Sequence, residues 1–238
     1  MAVLHAFPSL AFNAQYAFDQ TAAAEEILIR AGFQWGVVFD DDLQRLEKFS
    51  VLILAGQTHL SKTVCEAVKR FVDRGGSVLM LGDNGKYDDE GRLLEVNPLD
   101  ALVGNRVRRL KASVIRPLKG WRWGVFAALP PSWKEVAGAI LKAADGRLSA
   151  RLLDPDTTVT LSAYRGEAGR LVVHLVNYAA PRPTRPLQVQ LGAAWRDRRA
   201  ARLLSPGVPE RTLSLRRDDN RCVVDVPPLD VYGILVIE

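Results

Sequence analysis

Two aliphatic runs, SVLILAG at residues 50–56 and SVLMLG at residues 77–82, constrain the fold more than any other feature of the chain. Both lack the polar alternation that a strand with one wet face would carry, so each suits a central strand covered on both sides. Between them lies HLSKTVCEAVKRFVDRGG, in which Val64, Val68, Phe71 and Val72 recur on one helical face. Ser61 stands where an N-cap would, and Gly75–Gly76 end the helix. A strand, a helix and a second strand of this kind make a βαβ unit, and such units build parallel sheets with helices on both faces.

The flanks extend the pattern. Residues 19–32, DQTAAAEEILIRAG, predict a helix capped at Asp19 or Thr21 and closed by a glycine. A short helix carrying Leu43, Leu46 and Phe49 is expected before the first aliphatic run. After a less readable stretch that holds one further strand within VRRLKASVIRPL, PPSWKEVAGAILKAADG restores a helix, with Ser132 as cap and Val136, Ile140 and Leu141 facing inward. The first domain, a three-layer α/β unit, is therefore expected to span 1–146. From 147 to 238 the chain becomes a series of short β-rich runs separated by Gly, Pro, Asp and Asn. Val159, Leu161 and Ala163 alternate, as do Leu213 and Leu215, and RDDNR reads as a hairpin turn. Seven or eight antiparallel strands in this space predict a small β-sandwich.

Charge narrows the choice of partner. Residues 1–100 carry nine Lys/Arg and fifteen Asp/Glu, whereas residues 101–150 carry ten and two. The basic stretch is interrupted by Val107, Leu110, Val114, Ile115 and Leu118, which is the pattern of a packed element with one charged face and not of a nucleic-acid-binding run. No aliphatic run is long enough to span a bilayer. No basic leader or cleavage site is legible in MAVLHAFPSLAF, and two cysteines make no disulfide framework, so a cytoplasmic chain with reduced thiols is expected.

The chemistry-bearing residues are few. Cys65 shares a helix side with Val68 and Val72 and reads as a core thiol, and Cys222 in RCVVDV reads the same way. His59 follows a parallel strand, where α/β sheets place ligands. His174 lies inside a strand and His5 near the N-terminus, and none of the three histidines sits in a metal-binding motif. Asp40, Asp41 and Asp42 follow one strand; Asp83, Asp88, Asp89 and Glu90 follow another, as either acid–base groups or solvated caps. The glycines form no phosphate-binding loop, since GGSVLMLG places its pair before a strand. No metal or cofactor is expected. Trp121, Trp123 and Trp133 fall within thirteen residues and would stack on a sugar or fill an oligomer contact or domain seam.

The segment LEKFSVLILAGQTHLSKTVCEAVKRFVDRGGSVLMLG resembles the trimerization domain of family 42 β-galactosidases, and GRLVVHLVNY and VPPLDVYGILVIE resemble the β-sandwich that follows it there. The resemblance implies a flavodoxin-like, class I glutamine amidotransferase-like domain, without the catalytic barrel that carries that family's glutamates. In true amidotransferases the strand matching SVLMLG leads into a cysteine nucleophile; here it leads into Gly82, Asp83 and Asn84. The resemblance thus implies a non-catalytic accessory or oligomerisation module. Its expected partner is a second copy of itself or a glycosidase-related protein, with carbohydrate as candidate ligand at Asp83, Asn84, Trp121 and Trp123. The alternative is a hydrolase of unknown substrate using Asp83 and His59.

Overall fold

A computed structural model describes residues 1–111, 132–153, 158–166, 169–218 and 221–238. The chain separates into two compact units: Met1–Ile27 with Trp35–Asp145, and Leu28–Gln34 with Gly146–Glu238.

The first unit holds β1 (Ala2–His5), α1 (Phe7–Phe12), α2 (Ala14–Arg30) as far as Ile27, β2 (Gly36–Phe39), β3 (Val51–Ala55), α3 (Lys62–Asp73), β4 (Ser77–Leu81), β5 (Val107–Leu110) and α4 (Trp133–Ala144). Among the described residues its strands number five, all parallel, in the order β2-β1-β3-β4-β5. Every residue of β3 and β4 is buried, as the two aliphatic runs predict. Ser61 caps α3 by accepting a 3.2 Å bond from the Val64 amide. The double glycine then turns α3 into β4 against the fully buried Phe71, whose ring would lie 2.3 Å from a Cβ on Gly76. Only a residue without a side chain permits that approach.

Three details differ from expectation. α2 begins five residues before Asp19, because Ala14, Gln15 and Ala17 are good helix formers and the Asn13 carbonyl accepts from the Ala17 amide at 3.0 Å. Leu43–Lys48 is a single 3₁₀ stretch with Leu46 buried. Ser132 occupies the N-cap of α4 without a side-chain bond to the first turn, and Ala143 and Ala144, more than Leu141, fill the inward face beside Val136 and Ile140.

The second unit is antiparallel throughout: β6 (Ala150–Leu153), β7 (Val159–Arg165), β8 (Leu171–Asn177), β9 (Leu187–Leu191), β10 (Ala200–Ser205), β11 (Val208–Asp218), β12 (Arg221–Val226) and β13 (Tyr232–Ile237). The strand order is β6-β9-β12-β11-β10-β13-β8-β7, so consecutive strands β6 and β7 form the two ends of a nearly closed sheet. Alternate residues face one shared core, among them Leu161, Leu171, Val173, Leu175, Val189, Val224 and Leu235. The result resembles a sandwich or barrel. β11 and β12 pair antiparallel to the register Asp218↔Arg221, and residues 219–220 of the expected RDDNR turn lie outside the described residues.

Candidate functional site: the carboxyl edge of the parallel sheet

In an open α/β sheet the carboxyl ends of the strands, above all at the point where strand order reverses, form the crevice where ligands bind. Here that point lies between β1 and β3, and it is filled from within. Gly56, at φ +66°, lets the chain leave β3 pressed against Gln20, and Gln57 then turns inward to 1% exposure. Its Oε1 accepts from the Ala6 amide at 2.8 Å, and its Nε2 donates to Thr21 Oγ1 and to the Ala55 carbonyl, each at 3.0 Å. One side chain therefore ties the exit of β1 to the exit of β3 and to α2. The Gln57 amide donates to Asn84 Oδ1 at 2.8 Å, while Asn84 Nδ2 reaches the Leu81 and Gly82 carbonyls at 3.2 and 3.0 Å. Asn97 extends the chain of bonds by donating to the Asn84 carbonyl at 2.7 Å. A buried network in which donors and acceptors match is rigid and leaves little for a ligand to bind.

Asn84 is thus an anchor, and its neighbour Asp83 is the outward-facing member of the pair. The Asp83 carboxylate is exposed, and its amide donates to the Tyr16 hydroxyl at 3.0 Å. Burial raises the Tyr16 pKa, with the Asp83 amide opposing. Asp83 and Asn84 both border a cleft of about 280 Å³, together with Met80, Gly82, Lys86, Asn97, Asp100 and Arg109. The Arg109 guanidinium is partly occupied, donating to the Leu99 and Leu102 carbonyls at 2.6 and 3.1 Å.

His59 does not line that cleft. Its ring stacks between Phe12, at 5.3 Å between centroids, and Tyr87, at 4.6 Å, and its Nδ1 shares a 2.9 Å hydrogen bond with Thr58 Oγ1. Its backbone is held by Ser9, whose hydroxyl donates to the His59 carbonyl and accepts from the His59 amide. Burial lowers the His59 pKa, and the Asp88 carboxylate works weakly against that. Asp88 itself organises its loop, accepting from the Glu90 and Arg92 amides and from Arg92 Nε, and these bonds hold its pKa down. Cys65 is buried on α3 and burial pushes its thiol up to about 11, so it is not a thiolate at neutral pH. His5 pairs with Glu25 at 2.7 Å, and His174 bonds the Tyr232 hydroxyl in the second unit. Among the described residues no group of three His, Cys, Asp or Glu is placed to hold a metal ion. Trp121 and Trp123 lie outside the described residues.

Above the polar network the same edge carries exposed apolar side chains. Phe7 is 72% exposed, Phe12 57%, Phe39 49% and Leu93 65%. Phe7 and Phe12 share α1; Phe12 stacks on His59, His59 on Tyr87, and Tyr87 bridges to Leu93. The Phe7 amide bonds Asp40, next to Phe39. Gln57, Ser9 and Asn97 were not singled out by sequence reasoning. The one available signal was the polar run Gln57-Thr58-His59 directly after five buried aliphatic residues.

No protein-family model matches the chain, and no curated protein matches it. Solved structures do. The chain is similar over 100% of its length to an exo-carrageenase of family GH42 from Bacteroides ovatus, at 12% identity and a TM-score of 0.58. The same coverage and TM-score hold for a β-galactosidase from Bacillus circulans sp. alkalophilus at 14% identity and for α-L-fucosidase isoenzyme 2 from Paenibacillus thiaminolyticus at 13%. The chain spans 28%, 41% and 48% of those three proteins, respectively. What is shared at such identity is the fold. Among the described residues no helix is long and apolar enough to cross a membrane.

Proposed function

We propose that this chain is a non-catalytic accessory module, related to a C-terminal segment of family 42 glycosidases, that acts by assembling with copies of itself in a carbohydrate-associated setting. The observation that carries this reading is the pairing of a plugged switch point with an apolar rim. Where an α/β enzyme would keep a crevice, the Gln57 side chain accepts from the Ala6 amide and Asn84 Oδ1 accepts from the Gln57 amide, and the two side chains fill the space. Around that plug stand Phe7, Phe12, Phe39 and Leu93, and neighbouring exposed apolar side chains of this size mark interaction surfaces. A symmetric contact that buries the rim on each copy would remove it from water at no chemical cost to the fold.

Likeness to glycosidases over less than half of their length supports the accessory part of the reading. The geometry favours it over a hydrolase built on Asp83 and His59, because the His59 ring faces are covered by Phe12 and Tyr87 and the ring does not line the Asp83 cleft. Two free cysteines buried in separate units support the cytoplasmic placement that forms part of the same reading. Replacing Phe12 and Leu93 together by Asp tests the interface. Sedimentation velocity should show a smaller species with an unchanged circular-dichroism spectrum; an unaltered sedimentation coefficient for a parent that does associate would remove the rim from the account.

A further inference from the structure

The carboxyl edge of the first unit is acidic as well as apolar. Asp40 and Asp41 follow Phe39 directly, Asp83 leaves β4, and Asp89 lies in the loop between Tyr87 and Leu93. The cations of that edge are engaged at home: Arg45 stands 3.5 Å from Asp42, Arg92 pairs with Asp88 and Glu90, and Lys86 leans over the Tyr87 ring. Asp41, Asp83 and Asp89 are exposed, and none of them forms an ion pair among the described residues. A two-fold contact would set this surface against its own copy. Carboxylate would then face carboxylate across the rim, an arrangement that opposes association. The rim therefore calls for a surface that is cationic and able to pack on exposed rings.

The second unit carries such a surface. The register places Arg165 opposite Leu171, Leu171 opposite Ile237 and Ile237 opposite Ala201, so the end of β7, the start of β8, the end of β13 and the start of β10 meet at one end of the sheet. Arg165, Arg170, Arg199 and Arg202 come together there, joined by Arg196 and Arg198 from the turn before β10. Carboxylates at that end are fewer. Arg202 pairs with Glu210 at 3.3 Å and Glu238 at 2.8 Å, Arg170 stands 3.7 Å from Glu238, and Arg196 stands 3.9 Å from Asp197. Arg199 is exposed and forms no ion pair among the described residues. A cleft of about 340 Å³ opens between Arg198, Arg199, Arg202 and Glu238. Two of these arginines already show the packing required: the Arg165 and Arg198 guanidinium groups lie 5.9 and 5.8 Å from the centroid of the Trp195 ring.

We propose that copies of this chain assemble head to tail, the carboxyl edge of one copy's first unit docking on the arginine end of its neighbour's second unit. Guanidinium planes lie on Phe7, Phe12 and Phe39 and take the Asp41, Asp83 and Asp89 carboxylates as partners. Arginine suits both tasks, because its planar fork matches a carboxylate and its face stacks on an aromatic ring. Such a contact is heterologous, and a ring that closes on itself buries every rim while keeping like charges apart. The proposal rests on the assembly half of the reading above and adds which surfaces meet.

The test is a charge swap on the full chain, read by sedimentation velocity across a concentration series. Arg196→Glu with Arg199→Glu reverses the basic side, and Asp41→Arg with Asp89→Arg reverses the acidic side; all four positions are exposed. Each double variant alone should raise the dissociation constant at least roughly tenfold. Mixing the two in equal amounts, or combining all four changes in one chain, should restore the parent's mass. Arg182→Glu with Arg185→Glu, an equal change of net charge beyond the other end of β8, should associate as the parent does. Thermal melts followed by circular dichroism establish that the variants fold. A parent that associates and is unaffected by reversal of the arginines overturns the head-to-tail contact and leaves the assembly reading standing. Failure of both the mixture and the fourfold variant to recover the parent's mass overturns it as well. A monomeric parent removes the assembly reading and this proposal with it.

Discussion

Replacing Gln57 by Leu tests whether the plug at the switch point is structural in the way its geometry indicates. The substitution keeps roughly the same volume and removes three bonds: from the Ala6 amide at 2.8 Å, and to Thr21 Oγ1 and the Ala55 carbonyl at 3.0 Å. Their losses are unequal. The Ala55 carbonyl keeps a 3.1 Å bond from Thr21 Oγ1, which satisfies both of those groups. The Ala6 amide has no such reserve and is left as a donor on a fully buried residue. An orphaned buried donor costs about 1–3 kcal/mol. Little cavity term adds to it, because Leu fills most of the vacated space. For a chain of this size each kcal/mol corresponds to about 2–4 °C in Tm. Urea denaturation should show a lower midpoint with an unchanged slope, and hydrogen exchange should show the Ala6 amide losing protection. A variant within about 0.5 kcal/mol of the parent, the scatter typical of innocuous surface changes, with the Ala6 amide still protected, would refute the argument that Gln57 holds β1 to β3.

The remaining expectations address single residues. Burial lowers the His59 pKa below the ordinary 6.5, so as the pH falls the unfolded chain takes up a proton first. Its contribution to stability is therefore complete above about pH 6.5 and declines as the pH falls toward its folded value; an NMR titration placing His59 at or above free imidazole would contradict this. Gly76→Ala would set a Cβ 2.3 Å from the buried Phe71 ring and should cost about 1–3 kcal/mol by overpacking. Gly75→Ala meets no atom within 4 Å and carries only the penalty of φ +95°, about 1 kcal/mol, so denaturation midpoints should rank the two in that order. Cys65, buried and with its thiol pushed up to about 11, should resist iodoacetamide at pH 8 in the native chain and react once urea unfolds it; rapid native labelling would show that α3 opens locally.

Much of the fold could be read because its strongest signals are local. VLILA and SVLML have no way to bury both faces except at the centre of a parallel sheet, and the Ser61 cap and the Gly75–Gly76 stop delimit the helix between them. Alternation in Val159, Leu161 and Ala163 is equally local. β5 is harder to read, since Val107–Leu110 stands last in the order of the described strands and carries two arginines and little apolar pattern. The candidate site was less legible for a different reason. Gln57 acquires its role from Ala6, Thr21 and Asn84, which lie 51, 36 and 27 residues away. Nothing within a window of sequence marks a glutamine as a plug. Asp83 and Asn84 are both candidates from the sequence, and the fold makes Asn84 the buried member and leaves Asp83 exposed. The two differ by one position in a turn, and only the fold decides which faces in.

The apolar rim at the carboxyl edge of the parallel sheet is proposed as an assembly surface. Its most direct test is the solution mass of the parent chain by sedimentation equilibrium across a concentration series. The expected result is an integral multiple of 26.3 kDa that persists at micromolar concentration. A single species at 26.3 kDa up to the highest concentration reached would contradict it.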